Sequence, residues 1–312
     1  MKKTAFLFPG QGSQKVGMGQ DVVQEHEVAA EIFARADDIT GMPISKLCFE
    51  GPMEALTQTV NLQPAVTTVN LAFLSVVQNA GIQPTISAGH SLGEFSALSA
   101  ANVITPDECI SLVYKRGVLM HRESMVHKGA MSAVLGLSID QVTGIVAEAS
   151  ASGIVAVANH NSTEQIVITG TQEGVAAAGQ LAAAQGARAI PLRVSGAWHS
   201  PLIQGAEAEF KSFLERFDLR TPRLEVVHNV TAAPETDPAT IRSLLARQLC
   251  SPVRWYESIN HMLARQVELF VEIGPGRVLS GLLKKILPKE SGARIFNVYD
   301  LKTLHKFLEA QS

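Results

Sequence analysis

The sequence is poor in aromatic residues and in charge of either sign. Aromatic residues make up 5% of its 312 residues, charged residues make up 18%, and the formal net charge is −3. A chain so close to neutral has no general electrostatic attraction to nucleic acid or to an anionic membrane surface. We therefore expect neither as a partner, and any basic surface must be local.

Cysteine is also scarce, since Cys48, Cys109 and Cys250 are the only three and none belongs to a CxxC pair. An odd number without paired spacing favours neither a disulfide framework nor a zinc site, so we expect a reducing cytoplasm and no bound metal. No apolar run approaches the ~20 residues of a membrane span. Hydrophobic residues nevertheless make up 46% of the chain, which is typical of a globular protein with a large core.

What the sequence does contain is the pattern GxSxG, at residues 89–93. It follows a strand-like stretch at residues 85–88 and precedes a segment rich in alanine and serine. A strand that turns sharply into a helix needs glycine on both sides of the serine, where a side chain would clash. The pattern thus predicts a nucleophile elbow that exposes the hydroxyl of Ser91 near a helix N-terminus.

Strands and helices alternate through the flanking regions. Strands are predicted at residues 4–8, 224–227 and 267–273, and helices at 22–36, 65–80 and 106–120, the last capped by Thr105. This alternation indicates an α/β fold with a mostly parallel sheet, in which ligands bind beyond the carboxyl ends of the strands. The glycine-rich turn at residues 9–14 and the elbow both follow strands.

The middle of the chain has its own pattern, βαββαβ. Strands are predicted at residues 130–137, 153–158, 165–169 and 188–194; Ser138 with Gln141 forms a capping box for the first helix, and Thr171 caps the second. This order is typical of a ferredoxin-like domain. We therefore predict an inserted small domain at residues 128–193, within a discontinuous catalytic domain formed by residues 1–127 and 194–312.

A serine is a weak nucleophile until a base accepts its proton. Of the nine histidines, His199 is the best placed, because it lies where the chain leaves the inserted domain, and a loop at a domain junction is a good place for a catalytic group. A histidine packed beside the buried Trp198 is an equal alternative from the residues alone. His90 is expected to support the elbow, because neighbouring side chains at a tight turn point apart. An orienting carboxylate is not evident between Ser91 and His199, so a backbone carbonyl could orient the ring.

Together these segments resemble the malonyl-CoA:acyl carrier protein transacylases and the related acyltransferase domains of polyketide synthases. The resemblance covers nearly the whole chain. Its motifs, in family order, are FPGQGSQ at residues 8–14, GHSLGE at 89–94, KRG at 115–117 followed by Met120, NHNS at 159–162, GAWHS at 196–200, QL at 248–249 before SPV at 251–253, and EIGPG at 272–276.

The resemblance implies an α/β-hydrolase-like large domain with the ferredoxin-like insert, and a role for each matched residue. Ser91 would carry the malonyl ester, His199 would be its base, and Gln248 would orient His199 through its backbone carbonyl. The backbone amides of Gln11 and Leu92 would form the oxyanion hole. Arg116 would bind the carboxylate of the malonyl group. Trp198, Asn159 and Asn161 would contact the substrate. Malonyl-CoA would be the donor and the phosphopantetheine of an acidic acyl carrier protein the acceptor, with no permanently bound cofactor.

Trp198 departs from the family, whose members commonly have a small residue or phenylalanine before the histidine. A bulky residue beside the acyl pocket disfavours an α-methyl group, so malonyl is favoured over methylmalonyl. The GAWHS sequence at residues 196–200 also resembles that of free-standing acyltransferases that serve polyketide assembly in trans. A role in primary fatty-acid synthesis is the alternative. Basic residues in and around the helix after Gly276 are candidates for contact with the carrier, or form a solvated helix face: Arg277, Lys284, Lys285 and Lys289.

Other functions are less favoured. An acyl hydrolase could use the same elbow, but it would gain nothing from a buried Arg116 when its acyl groups have no carboxylate. A dinucleotide-binding oxidoreductase would need a third glycine where the sequence has Lys15. A non-catalytic interaction module would not need the intact set of catalytic residues.

Overall fold

A computed structural model describes residues 3–311, so the limits 1 and 312 of the predicted large domain lie outside the described residues. The strands are β1 Thr4–Phe8, β2 Ile86–Gly89, β3 Ala130–Leu135, β4 Val155–Ser162, β5 Gln165–Gly170, β6 Arg188–Pro191, β7 Glu225–Val227, β8 Leu269–Ile273 and β9 Arg294–Val298.

The helices surround these strands. They are α1 Gln20–Glu25, α2 Glu27–Thr40, α3 Ile44–Glu50, α4 Met53–Thr57, α5 Thr59–Asn79, α6 Gly93–Ala100, α7 Pro106–Val126, α8 Ile139–Ala149, α9 Gln172–Ala184, α10 Gly205–Leu214, α11 Pro238–Arg247, α12 Trp255–Ala264, α13 Val278–Ile286 and α14 Leu301–Glu309, with a 3₁₀ turn at Pro201–Ile203.

The large sheet has the strand order β7-β2-β1-β8-β9, and all its pairings are parallel. Successive side chains of β1 enter different cores. Phe6 and Phe8 pack in the cluster formed with α2, α5 and α7, whereas Ala5 and Leu7 pack against α12 and α13. The sheet is therefore covered by helices on both faces, as a parallel sheet must be.

The second sheet is antiparallel, with the order β4-β5-β3-β6, and has a separate hydrophobic core with α8 and α9. Its element order is the predicted βαββαβ. The predicted helix caps at Thr105, Ser138 and Thr171 are present as well. The α/β fold class with a parallel large sheet and a small inserted sheet is thus confirmed, while the boundaries of the two domains stay a prediction.

Several elements differ from expectation. The single helix predicted at residues 22–36 is two helices, because His26 adopts an extended conformation between α1 and α2. Strand β6 ends at Pro191, which has no N–H to continue the ladder. Helix α5 begins at Thr59 and includes Pro64. Strand β9 and helices α3, α4, α10, α11, α12 and α14 were not predicted.

The sequence predicted that no apolar run approaches the length of a membrane span. Judged by length and composition alone, α5 contradicts this prediction. Its 21 residues include no charged side chain, which makes it long and apolar enough. Most of the helix is buried, and it packs against α2 and α7. Its apolar character is that of a core helix.

Candidate active site

The elbow lies where β1 and β2 end side by side, with Phe8 opposite Gly89. Ser91 has φ 50°, in the left-handed region that ordinary residues rarely adopt. A Cβ on Gly89 would lie 1.8 Å from the carbonyl carbon of Gly93, and a Cβ on Gly93 would lie 2.0 Å from the carbonyl oxygen of Phe8. Both glycines are therefore required by close packing, and the strained turn presents Ser91 beyond the sheet.

His199 meets this serine. Its Nε2 lies 2.8 Å from Ser91 Oγ, and its Nδ1 lies 2.9 Å from the backbone carbonyl oxygen of Gln248. A carbonyl only accepts, so Nδ1 carries the proton and Nε2 is free to take one from the serine. His199 also has φ 59°, so both members of the pair occupy strained backbone positions.

The environment keeps this imidazole neutral. Burial, and then the positive charge of Arg116, lower the pKa of His199 from 6.5 to about 3, and the hydrogen bond to the Gln248 carbonyl offsets only part of this. His90, a half-buried neighbour, also disfavours a charge on His199. A neutral ring at neutral pH is what a general base requires.

Arg116 comes from the middle of α7 and is only 1% exposed. Its Nη2 donates to Ser91 Oγ at 3.2 Å and to Gln248 Oε1 at 3.0 Å, and its Nη1 donates to Gln63 Oε1 at 2.9 Å. Burial lowers the pKa of Arg116 to about 10, and the charge of Glu94 opposes this shift. Within residues 3–311 its Nε has no hydrogen-bond partner.

These groups line a pocket of about 540 Å³. Trp198, Met120 and Met131 provide apolar walls, and Asn159 a polar one. The full lining comprises Gln11, His90, Ser91, Leu92, Arg116, Met120, Met131, Asn159, Leu192, Val194, Trp198 and His199. Trp198 is 4% exposed, and its Nε1 has no protein acceptor among the described residues. The pocket combines a nucleophile, a base and a cation with a small apolar space.

Gln11 and Leu92 also border the pocket. Gly10 makes this approach possible, since a Cβ there would lie 2.5 Å from the carbonyl oxygen of His90. Over residues 3–311, neither the amide N–H of Gln11 nor that of Leu92 donates to a protein acceptor. Two unused N–H groups beside a nucleophile are the elements of an oxyanion hole.

A second cavity of about 1030 Å³ adjoins the first, with which it shares Gln11, His90 and Asn159. Asn161 lies in this second cavity, where its Oδ1 is 2.8 Å from His90 Nε2. It is therefore engaged with His90, whose ring also stacks edge-on against Trp255. The opposite wall is α13, through Val278, Leu279 and Leu282.

Helix α13 also carries two of the residues predicted to contact a carrier. Lys284 and Lys285 are exposed in its last turn. Arg277 is exposed just before the helix, where it stacks on Tyr299 and bonds to the hydroxyl of that residue. The basic side chains thus belong to the same helix that lines the second cavity.

Three buried polar residues of the site had no predicted role. Gln63 holds Arg116, while Asn229 accepts from the Ser91 amide at 2.6 Å and donates to the Gly89 carbonyl at 2.7 Å. Glu94, 1% exposed, accepts from Gln248 and from the Asn229 amide. Glu94 was visible in the sequence as the last residue of the GHSLGE motif, and Gln63 and Asn229 only as polar residues; none of these signals reveals the partners.

One group of side chains outside the pockets has the geometry to hold a metal ion. The possible ligand atoms of Glu25, His26 and His305 lie within 4.8 Å of one another. Glu25 and His305 are both about half exposed, and their side chains form an ion pair at 3.7 Å when the histidine is protonated. None of these three residues is among those that line the two cavities.

Comparison with known proteins agrees with the geometry. The family model described as "Acyl transferase domain" matches residues 5–301. The chain is 44% identical over 288 residues to the malonyl CoA-acyl carrier protein transacylase of Bacillus subtilis (strain 168), covering 92% of this chain and 91% of the relative. It is 40% identical to the enzyme of the same name from Staphylococcus aureus (strain COL), over 92% of this chain and 93% of the relative.

Solved structures give the same result. The crystal structure of an acyl carrier protein S-malonyltransferase from Vibrio cholerae superposes with a TM-score of 0.93 at 40% identity, covering 98% of this chain and 99% of the other. A malonyl-transacylase in complex with its type II polyketide acyl-carrier protein superposes with a TM-score of 0.94 at 38% identity, with 99% of each chain covered.

Proposed function

The chain belongs to the acyl transferase domain family, and on that premise we propose that it transfers a malonyl group from malonyl-CoA to an acyl carrier protein through an ester on Ser91. It is an acyltransferase of fatty-acid or polyketide synthesis. The observation that carries the proposal is the position of Arg116, a buried cation 3.2 Å from the nucleophile.

The first half-reaction forms the ester. Ser91 Oγ attacks the thioester carbonyl carbon as its proton moves to Nε2 of His199. The N–H groups of Gln11 and Leu92 stabilise the oxyanion of the tetrahedral intermediate. The carbon–sulfur bond then breaks, and His199 returns its proton to the sulfur, so that free CoA leaves.

The second half-reaction reverses these steps with another thiol. The phosphopantetheine thiol of the carrier protein gives its proton to His199 and attacks the ester carbonyl. The bond from carbon to Ser91 Oγ breaks, and His199 returns the proton to the serine. The second cavity, between the elbow and α13, offers room for the phosphopantetheine arm of either substrate.

Selectivity follows from the buried guanidinium. A malonyl group places its carboxylate one methylene from the reacting carbon, which fits a cation that touches Ser91 Oγ directly. Arg116 and the carboxylate then form a charge-assisted, two-pronged pair. An acetyl group has no carboxylate and would leave Arg116 without this partner. Removing one partner of a buried ion pair costs about 3–5 kcal/mol, so acetyl-CoA should react poorly.

The same pair also affects the base. The charge of Arg116 is one cause of the lowered pKa of His199. A bound carboxylate compensates that charge, so His199 becomes a stronger base when the correct substrate is present. Trp198 closes the apolar side of the pocket and disfavours an α-methyl substituent.

Further parts of the proposal concern partners and setting. The carrier is acidic and docks near Arg277, Lys284 and Lys285; Asn159 and Asn161 contact the substrate; and no cofactor is permanently bound. The protein acts in the cytoplasm, without nucleic acid or membrane as a partner. Its catalytic domain comprises residues 1–127 and 194–312, and residues 128–193 form the insert.

The test is exposure of the protein to malonyl-, acetyl-, butyryl- and methylmalonyl-CoA, with the intact mass measured after seconds. A stable malonyl adduct is expected on the wild type, and its transfer to a phosphopantetheinylated carrier protein is expected in a second step. Ser91→Ala should abolish the adduct. Release of acetyl or butyryl acid to water faster than malonyl transfer would instead favour an acyl hydrolase.

A further inference from the structure

Glu94 is a buried carboxylate directly behind the nucleophile, in the first turn of α6. It does not line the substrate pocket. Its Oε2 accepts from Gln248 Nε2 at 2.6 Å and from the Asn229 amide at 3.2 Å, and its Oε1 lies 2.7 Å from His228 Nδ1. Each of these partners lies more than 130 residues away along the chain.

The polarity of these contacts determines which way the Gln248 amide faces. Its Nε2 has two hydrogens, which go to the carboxylate of Glu94 and to the backbone carbonyl of Ser91 at 3.0 Å. Both of those groups only accept, so the nitrogen must face them. The oxygen Oε1 is thereby turned to Arg116, from which it accepts at 3.0 Å.

A chain of contacts therefore joins Glu94 to the guanidinium. If the Gln248 amide flipped, its NH₂ group would face the donors of Arg116, and two donors cannot bond. The charge on Glu94 strengthens its hydrogen bond to Nε2, since charge-assisted bonds are about twice as strong as neutral ones. The carboxylate thus excludes the flipped arrangement.

We propose that Glu94 is a positioning residue for malonyl recognition: it fixes the amide of Gln248, and through this amide it holds Arg116 beside Ser91. The inference rests on the proposed malonyl transfer. The last residue of the GHSLGE motif thereby takes part in selecting the acyl group, in addition to any role in shaping the elbow.

The experiment compares Glu94→Gln with the wild type. Rates of adduct formation are measured by intact mass with malonyl-CoA and with acetyl-CoA. The readout is the ratio of the two rates, which a general loss of folded protein does not change. Glutamine keeps the shape but removes the charge and can donate as well as accept. Gln248 Nε2 then loses its charge-assisted acceptor, and only the Ser91 carbonyl and Arg116 still favour the original amide orientation. We expect the malonyl-to-acetyl ratio to fall about tenfold or more.

Glu272→Gln is the matched control. Glu272 is also a fully buried glutamate, but it accepts from the Leu279 and Ser280 amides at the start of α13 and from the side chain of Asn297 in β9. This variant should lower the melting temperature and leave the malonyl-to-acetyl ratio unchanged. A similar fall of the ratio in both variants would overturn the proposal, because any buried carboxylate would then suffice.

A double-mutant cycle with Gln248→Met tests the route. This change removes the amide and keeps the backbone carbonyl that orients His199. If Glu94 acts through the amide, the double variant will lose no more selectivity than Gln248→Met alone. Additive losses, or a ratio in Glu94→Gln within about threefold of the wild type, would contradict the proposal.

If Glu94→Gln does not fold, Gln248→Met carries the test, and an unchanged ratio in that variant would overturn the proposal. If the wild type itself forms no malonyl adduct, the proposed function fails first. A wild type that forms the adduct, together with a Glu94→Gln variant that keeps its selectivity, would leave the function intact and remove only this role of Glu94.

Discussion

Arg116 and Ser91 are in direct contact, since Nη2 of the arginine donates to Oγ of the serine at 3.2 Å. Oγ therefore accepts from Arg116 and directs its own hydrogen to Nε2 of His199 at 2.8 Å. The cation that we propose to bind the substrate carboxylate therefore also orients the nucleophile. On the proposed function, substrate choice and catalysis are thus coupled at Ser91 Oγ.

The first prediction concerns this contact. Arg116→Ala should slow formation of the malonyl adduct by about 100-fold or more, because the substrate carboxylate would be buried without its partner. Acetylation should be much less affected, so the malonyl-to-acetyl ratio should collapse. Arg122→Ala is the control, since Arg122 lies on the same helix, is about half exposed and pairs with Glu209. Equal loss in both variants would count against the clamp.

The second prediction follows from the pKa of His199. The unfolded chain takes up a proton on this residue below pH 6.5, whereas the folded protein does so only near pH 3. The free energy of unfolding should therefore fall as the pH drops from 6.5 toward 3, by up to about 1.4 kcal/mol per pH unit from this group. Above pH 6.5 the group contributes no slope.

Urea unfolding at pH 7.5, 6.5, 5.5 and 4.5 measures this effect. His199→Gln should reduce the slope below pH 6.5 and leave the slope above it unchanged. His90, whose pKa is also lowered by burial, should keep part of the acid slope in the variant. Identical slopes in wild type and variant would show that His199 is not held neutral.

The third prediction uses one substitution at two glycines. Gly93→Ala should prevent formation of the elbow, because the new methyl group would lie 2.0 Å from the carbonyl oxygen of Phe8. Gly144→Ala, within α8, meets nothing within 4 Å and should stabilise the protein by about 0.5–1 kcal/mol. Melting temperature and adduct formation distinguish the two; an active Gly93→Ala protein would refute the required close packing.

The fourth prediction concerns the size of the pocket. Trp198→Ala opens the wall next to His199, so the ratio of methylmalonyl to malonyl adduct should rise about tenfold. Trp255→Phe is the control, because Trp255 is fully buried but does not line this pocket. It should lower the melting temperature without changing the ratio. A ratio that stays constant in Trp198→Ala would place the determinant elsewhere.

Much of this architecture could be predicted from the sequence because its signals are local. The capping residues Thr105, Ser138 and Thr171 each act within three residues. The βαββαβ pattern and the parallel arrangement follow from periodicity and element order. Strand β9 was missed because it lies at an edge of the sheet and is only partly buried, so its pattern is weak.

The site was predictable only in part, for the same physical reason. The GxSxG pattern indicates its own geometry. The predicted domain junction singled out His199 as a candidate base, but only the family resemblance favoured that role over a packed histidine, and only the resemblance identified Arg116. Gln63, Glu94 and Asn229 act through partners 53 to 154 residues away, as in the contacts of Gln63 with Arg116 and of Glu94 with Gln248. No local pattern encodes such pairings, which arise only when the fold brings the segments together.

The last prediction separates the two half-reactions. Lys284→Glu with Lys285→Glu reverses two exposed charges on α13, so it should weaken attraction to an acidic carrier and slow transfer from Ser91. Acylation by malonyl-CoA should not change, because neither lysine lines the pockets. Lys302→Glu with Lys306→Glu makes the same change in net charge on α14. Transfer slowed equally by both pairs would indicate net charge alone, whereas an effect confined to the first pair, and strongest at low salt, locates the docking surface on α13.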